Sequence, residues 1–502
     1  MDMQLLTLLC ASILTFFILR FLYNQTQNPT KIPPGPRPYP IIGNILELGK
    51  NPHIALSKLS KIYGPIMTLK LGTITTIVIT SPKLAKQVLQ ENSQIFSSRT
   101  VPHSAQVYDN HKFSVGWLPP SAKWRNLRKV LATKVFSPAM LDSTKFLRQK
   151  KMKELLDFLK EKSMKGEALD LGEAVFSTVL NSISNTFFSM DFSHSTSDEK
   201  ARDFKTTFWG VMKDAGKPNI ADYFPILRGI DPQGIYARMG SYFVKLTSII
   251  DGIIEERMCS RASKADSKVS NDILDSLLSE IEETNSQLTR KEIMHLFLSL
   301  LVAGIDTTSS TVEWAMAELL RNPDKLAKAK EELYEVIGKD ATLEESHISK
   351  LPYLQAVVKE TLRLHPQAPL LLPRKCDEAV NIAGFHVPKD AQVWVNVWAI
   401  GRDPTIWKNP NMFEPERFLE CEINFKGNNF ELIPFGAGKR ICPGLPLAQR
   451  SVQFIVASLL HNFEWKLADG LTPEGMNMME QFGLTLTKVE PLRVQAIPVK
   501  LG

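Results

Sequence analysis

The sequence predicts a mainly α-helical protein with small β-sheets and an N-terminal transmembrane anchor. Three observations predict this class. Most of the chain places its apolar residues at helical period. Only two runs, 66–80 and 392–400, have the composition of strands. The leading segment from Met3 to Leu19 is uncharged and dominated by Leu, Ile and Phe. With 502 residues, 44% of them hydrophobic, the chain can bury a large core.

Residues 1–23 read as the anchor. Arg20 interrupts the apolar run, and Phe21, Leu22 and Tyr23 prolong it, close to the roughly 20 residues a span needs. A cleaved signal peptide wants a positive leading region, and Asp2 stands there instead. Arg20, Lys31 and Arg37 follow the apolar run, which leaves the body on the cytosolic side. Residues 24–43 form a proline-rich hinge, with five prolines between Pro33 and Pro40 that favour an extended spacer. Residues 44–502 contain no repeat or second linker and read as one domain. Within it IMTLKLGTITTIVIT (66–80) predicts a hairpin around Gly72-Thr73, and QVWVNVWAI (392–400) a further strand. The polar stretches 193–201 and 259–272 predict surface loops.

Composition excludes several classes. Sixty basic against 53 acidic residues leave a net charge of +7, too mild over this length to call for nucleic acid. The five cysteines, at 10, 259, 376, 421 and 442, are odd in number and lack CxxC spacing. That pattern predicts neither a disulfide framework nor a zinc cluster.

Three segments break local rules. In FLSLLVAGIDTTSSTVEWAMAELLRNP (297–323), Gly304 and the polar run Asp306 to Thr311 are poor helix interior. Either two helices meet here, with Ser310 and Glu313 as a capping box, or one long helix holds a polar pocket against a ligand. Spacing alone does not separate the two. In LPYLQAVVKETLRLHP (351–366), Glu360 and Arg363 adjoin on a helix that Pro366 ends. Taken alone they read as an exposed ion pair worth a few tenths of a kcal/mol. In PFGAGKRICPG (434–444), Gly438-Lys439 is followed by Arg440, which rules out a phosphate loop. Glycines at 436, 438 and 444 and the cation Arg440 near Cys442 suit a thiolate beside a flat ligand, or a structural cysteine in a turn.

Together these segments resemble the haem-thiolate monooxygenases, the cytochromes P-450. Phe435, Gly438, Arg440, Cys442 and Gly444 fill its F-x-x-G-x-R-x-C-x-G signature. Ala303 to Thr308 matches the oxygen-activating helix motif, Glu360 and Arg363 the E-x-x-R, and Pro415 to Phe418 the P-E-R-F. Trp124 and Arg128 match W-x-x-x-R, and the anchor with its proline hinge fits the microsomal members.

The resemblance implies a P-450 fold carrying haem b, with Cys442 as the axial thiolate, which favours O–O cleavage. Trp124, Arg128, Arg374 and Arg440 would hold the haem propionates. Asp306 and Thr307 would deliver protons for dioxygen activation. Glu360, Arg363 and Arg417 would form a buried network, reversing the isolated reading of the first two. Electrons would come from NADPH through a membrane reductase docked on SAKWRNLRKVLATK (121–134), whose cations are Lys123, Arg125, Arg128, Lys129 and Lys134. The setting implied is the endoplasmic reticulum membrane.

Within the superfamily the chain resembles the plant group that contains geraniol 8-hydroxylase, through KFSVGWLP (112–119), AGKPNIADYFPIL (215–227), DPQGI (231–235), WAIGRDP (398–404) and FELIPFGAGKRICPGLPLA (430–448). That group also oxidises diterpenes, alkaloid precursors and tyrosine. By analogy the pocket would be lined by Val101, Trp117, Phe208, Ala303, Leu370, Leu371, Phe482 and Leu484, nearly all apolar, which favours a terpenoid. A rearranging or dehydrating enzyme of the same fold has no need of an Asp306-Thr307 pair. A haem sensor or carrier has no need of the full oxygen motif.

Overall fold

The structure, a computed structural model, describes residues 31–192, 199–262, 272–282 and 288–499, together with Ser12 and Thr15. The anchor expected over 1–23, apart from those two residues, lies outside the described residues. So do residues 24–30 of the hinge and residues 193–198 and 263–271 of the two polar stretches. Apart from Asp272, what is described of those stretches is helical: Glu199 opens one helix and Ala262 closes another.

The helices that position the site are α1 (Pro52–Tyr63), α2 (Ala122–Val130), α3 (Lys145–Met164), α4 (Leu171–Phe188), α5 (Glu199–Ala215), α6 (Ile235–Ala262), α7 (Arg290–Arg321), α8 (Pro352–Leu364) and α9 (Leu445–Asn462). A mixed sheet stands at one side. Its strands are β1 (Ile66–Leu71), β2 (Ile74–Ile79), β3 (Ser98–Arg99), β5 (Arg374–Lys375) and β6 (Gln392–Val395), in the order β1-β2-β6-β5-β3. A second sheet has the order β4-β10-β7, from Leu169–Asp170, Arg493–Pro498 and Phe463–Leu467. Between β7 and β10 lies a short hairpin of β8 (Glu480–Gln481) and β9 (Thr487–Lys488).

The 66–80 run forms the hairpin its Gly-Thr turn predicts, with Leu71 opposite Ile74. The 392–400 run does not stay a strand. Asn396 is buried, donates to His53 O at 2.8 Å and accepts from Ala399 N at 2.9 Å, so Val397–Ile400 turns helical. Local β-propensity there yields to a cap anchored by α1. The described half of the hinge packs on the body. Thr68 N donates to Pro34 O at 2.8 Å, and a Cβ on Gly35 would fall 1.9 Å from Thr68 O.

The core is built around α7, which packs against α4, α6 and α9. One continuous helix runs from Arg290 to Arg321, so the two-helix alternative is excluded. Its capping box is made by Thr289 and Glu292 rather than by Ser310 and Glu313. Ser310 instead donates to Leu486 O at 3.1 Å, and Glu313 accepts from Leu492 N at 2.9 Å. Most of the polar side chains that disfavour a helix interior are thus bonded to the C-terminal segment 485–492 or to the preceding turn, and Thr308 lines a cavity. α7 alone among the described helices is long and apolar enough to cross a membrane, and it is buried in the core.

Candidate active site

Cys442 sits at the N-terminal end of α9, after a loop tied to itself. Gly436 N donates to Ile433 O at 2.9 Å, Ile441 N to Gly438 O at 3.1 Å and Cys442 N to Phe435 O at 3.0 Å. Gly438 has φ 66°, and a Cβ there would stand 1.9 Å from Leu89 O. Only glycine fits this turn. Gly444, by contrast, caps α9 with φ −80°, a conformation open to any residue. Burial pushes the Cys442 thiol up; the amides of Gly444 and Leu445 and the charge of Arg128 act in the opposite sense. Two backbone donors at a helix N-terminus favour a thiolate once a metal holds the sulfur.

A mostly apolar cavity joins Cys442 and Phe435 to Ala303, Gly304 and Thr307 on α7. Ile183 of α4 and Ala448 of α9 close its sides. Thr307 Oγ1 donates to Ala303 O at 2.6 Å. Asp306 is buried and does not line the cavity: its carboxylate accepts a hydrogen bond from the Thr485 hydroxyl. Successive residues on a helix diverge by about 100°, so these sequence neighbours face different surroundings. Burial pushes the Asp306 carboxyl up, against the Thr485 hydrogen bond.

Near the loop lie four arginines that meet no carboxylate among the described residues. Arg128 donates to Ile441 O at 2.9 Å and Arg374 to Phe96 O at 3.2 Å. Arg440 donates to Ser97 O at 2.7 Å, to Val115 O at 3.2 Å and to Leu118 O, and stacks 4.3 Å from the Trp124 ring. Trp124 Nε1 donates to Val115 O at 3.1 Å. The fourth, Arg99, belongs to none of the sequence motifs. It donates to Leu372 O at 2.6 Å and stands directly opposite Arg374 in the β3–β5 pairing. The Nε atoms of Arg99 and Arg374 are buried without a partner. Burial, with Arg374 and Arg440 beside it, holds Arg99 well below the ordinary guanidinium range. Arg374 is pushed down to about 9 and Arg440 to about 10, chiefly by burial. Like charges opposed in a buried sheet are destabilising unless an anion joins them. The two propionates of a haem fit that requirement, and the cavity-facing thiol fits its iron.

Glu360 and Arg363 are fully buried, so the exposed-pair reading of α8 is wrong. Arg363 Nε and Nη2 each reach the Glu360 carboxylate at 2.7 Å. Its remaining donors meet the carbonyls of Gly401, Pro410 and Met412. Arg417 Nε reaches the same carboxylate at 3.0 Å, and Glu414 N at 2.8 Å.

Among the eight expected pocket residues, Ala303 lines the cavity. Phe208 belongs to the core, with ring centroids 5.6 Å from Phe176 and 6.3 Å from Phe204. Leu370 is buried in a separate cluster near β1, against which the half-buried Phe482 packs. Val101, Trp117, Leu371 and Leu484 are half-buried and stand outside the cavity lining. On the basic segment, Lys123 pairs with Glu292 and Lys134 with Glu280, each at 2.9 Å. Arg125, Lys129 and, on the cysteine loop, Lys439 are exposed.

A family model described as Cytochrome P-450 matches residues 33–493. Cytochrome P-450 76T24 of Catharanthus roseus is 49% identical over all of both chains. Geraniol 8-hydroxylase of Swertia mussotii is 48% identical over 99% of this chain and 100% of its own. Geraniol 8-hydroxylase of Catharanthus roseus is 50% identical over 99% of each chain. Geranylhydroquinone 3''-hydroxylase of Arnebia euchroma is 43% identical over 99% of this chain.

Proposed function

Since the chain belongs to the cytochrome P-450 family and is a monooxygenase, we propose that it hydroxylates a small lipophilic metabolite, a terpenoid such as geraniol. The observation that carries the reading is one mostly apolar cavity lined by both Cys442 and Thr307. Relatives named for geraniol and for geranylhydroquinone both act on molecules with a geranyl chain.

Haem b, when bound, supplies the iron that activates dioxygen with electrons from NADPH through a reductase. Cys442 would hold that iron through Sγ. Arg99, Arg128, Arg374, Arg440 and Trp124 would orient the porphyrin by its propionates, with guanidinium forks matched to carboxylates. The apolar lining excludes water and favours a hydrocarbon substrate. The Thr307 hydroxyl, which donates to Ala303 O here, would turn to the cavity to give its proton, and Asp306 would restore it from the interior. Arg125, Lys129 and Lys439 would face an acidic reductase, while Lys123 and Lys134 are engaged within the fold. The uncharged segment 3–19 would anchor the chain in the endoplasmic reticulum membrane, with the body on the cytosolic side.

Microsomes holding the full chain and its reductase test the reading. Hydroxylated geraniol should form only with NADPH, and Cys442→Ala should abolish both product and the thiolate-type band of the reduced carbon-monoxide spectrum. No product from geraniol or geranylhydroquinone, at normal haem content, would overturn the terpenoid assignment.

A further inference from the structure

The motif residues do not include the nearest polar partner of Asp306. That partner is Thr485, in the turn that joins β8 to β9, and both side chains are buried. The turn is held on two sides. Ser310 Oγ and Trp314 Nε1 of α7 donate to Leu486 O at 3.1 and 3.0 Å, and Leu486 N donates to Gln367 O at 3.0 Å. On the far side Gly216 presses on it, since a Cβ there would lie 2.3 Å from Leu484 N. With the backbone fixed one residue later, the Thr485 hydroxyl has a set direction, and Asp306 is where it points.

We propose that Thr485 is a positioning residue for Asp306, holding from the β8–β9 turn the carboxyl that supplies protons to Thr307. The inference rests on the proton role assigned above to Asp306. In the step concerned, the Asp306 carboxyl gives a proton towards Thr307 and becomes a carboxylate, then regains one from solvent. The Thr485 hydroxyl donates to the carboxylate, so the buried charge never lacks a partner. It also fixes which carboxyl oxygen is free to pass the proton. Valine keeps the shape of threonine and removes the donor; serine keeps the donor.

Thr485→Val, Thr485→Ser, Asp306→Asn and the double variant Asp306→Asn/Thr485→Val separate the possibilities. The holoenzyme with reductase and geraniol gives kcat, KM and product per NADPH. Infrared spectroscopy of the holoenzyme without substrate follows the carboxyl band that Asp306→Asn removes. Thr485→Val should lower kcat and product per NADPH by about tenfold at unchanged KM and haem content, and shift the band. Thr485→Ser should leave both near wild type, and the double variant should be no worse than Asp306→Asn. Thr485→Val at wild-type coupling and band position, beside an impaired Asp306→Asn, would overturn the proposal alone. So would a change confined to KM, which means a shaped substrate surface. Full coupling in Asp306→Asn would overturn the proton role of Asp306 itself, and the proposal with it.

Discussion

Arg99 and Arg374 stand directly opposite one another in the antiparallel pairing of β3 with β5, and neither meets a carboxylate among the described residues. Two guanidiniums so placed repel until an anion binds both. Replacing Arg99 by Gln should therefore weaken retention of the dianionic cofactor more than it harms the apoprotein. Transfer of haem to excess apomyoglobin should speed up by about tenfold, the scale of one charge-assisted hydrogen bond. An unchanged transfer rate would remove Arg99 from the propionate site.

The Glu360–Arg363 pair makes the opposite case, because each charge already has its counter-charge. Arg363→Ala leaves the buried carboxylate with Arg417 and the Glu414 amide and should cost about 3–5 kcal/mol. Haem content per protein, read from the reduced carbon-monoxide spectrum, should fall sharply. Arg363→Lys should not restore it, since one ammonium cannot replace five donors that are all engaged. Normal haem content in Arg363→Ala would sink the buried-network account.

Glu480 predicts an acid limb of stability. Burial alone pushes its carboxyl up, but hydrogen bonds from His365 and His53 and the charges of His365 and Arg402 outweigh burial and hold it well below the usual carboxylate range. His365 Nδ1 lies 2.9 Å and His53 Nε2 3.1 Å from its oxygens. A depressed folded pKa gives stability that is present above the unfolded value of about 4.3 and is lost as pH falls below it. The melting temperature of wild type should thus drop between about pH 4.3 and pH 2 more steeply than that of Glu480→Gln. Parallel curves for the two proteins would exclude Glu480 as the source.

The two left-handed glycines of the cysteine loop should respond differently to alanine. At Gly438, with φ 66°, a Cβ would collide with Leu89 O at 1.9 Å, so the loop must shift. At Gly436, with φ 71°, the nearest atom would be Leu371 Cδ1 at 3.8 Å, and only backbone strain of about 1–2 kcal/mol remains. Gly438→Ala should lose haem incorporation, whereas Gly436→Ala should keep it with a melting temperature a few degrees lower. Equal haem content in the two would show that the loop yields around Leu89.

The sequence by itself determined the helical class, the 66–80 hairpin and the identity of the Cys442 loop. These are local properties: helical period, a Gly-Thr turn, and a φ sign that only glycine adopts freely. Tertiary structure decided what depended on distant partners. Helix spacing alone makes Glu360 and Arg363 a surface pair; what buries them, as the family resemblance implies, is the loop at 401–417 closing over them. The polar centre of α7 read as a possible break until the C-terminal hairpin satisfied its side chains. Asp306 and Thr307 read as a pair until the helix turned them apart, one to the cavity and the other to Thr485, 179 residues away. Arg99 carried no signal at all, because its meaning lies in a strand partner that the chain reaches only at residue 374. Burial and the choice of a polar partner are set by what folds against a side chain, and no window of sequence contains that information.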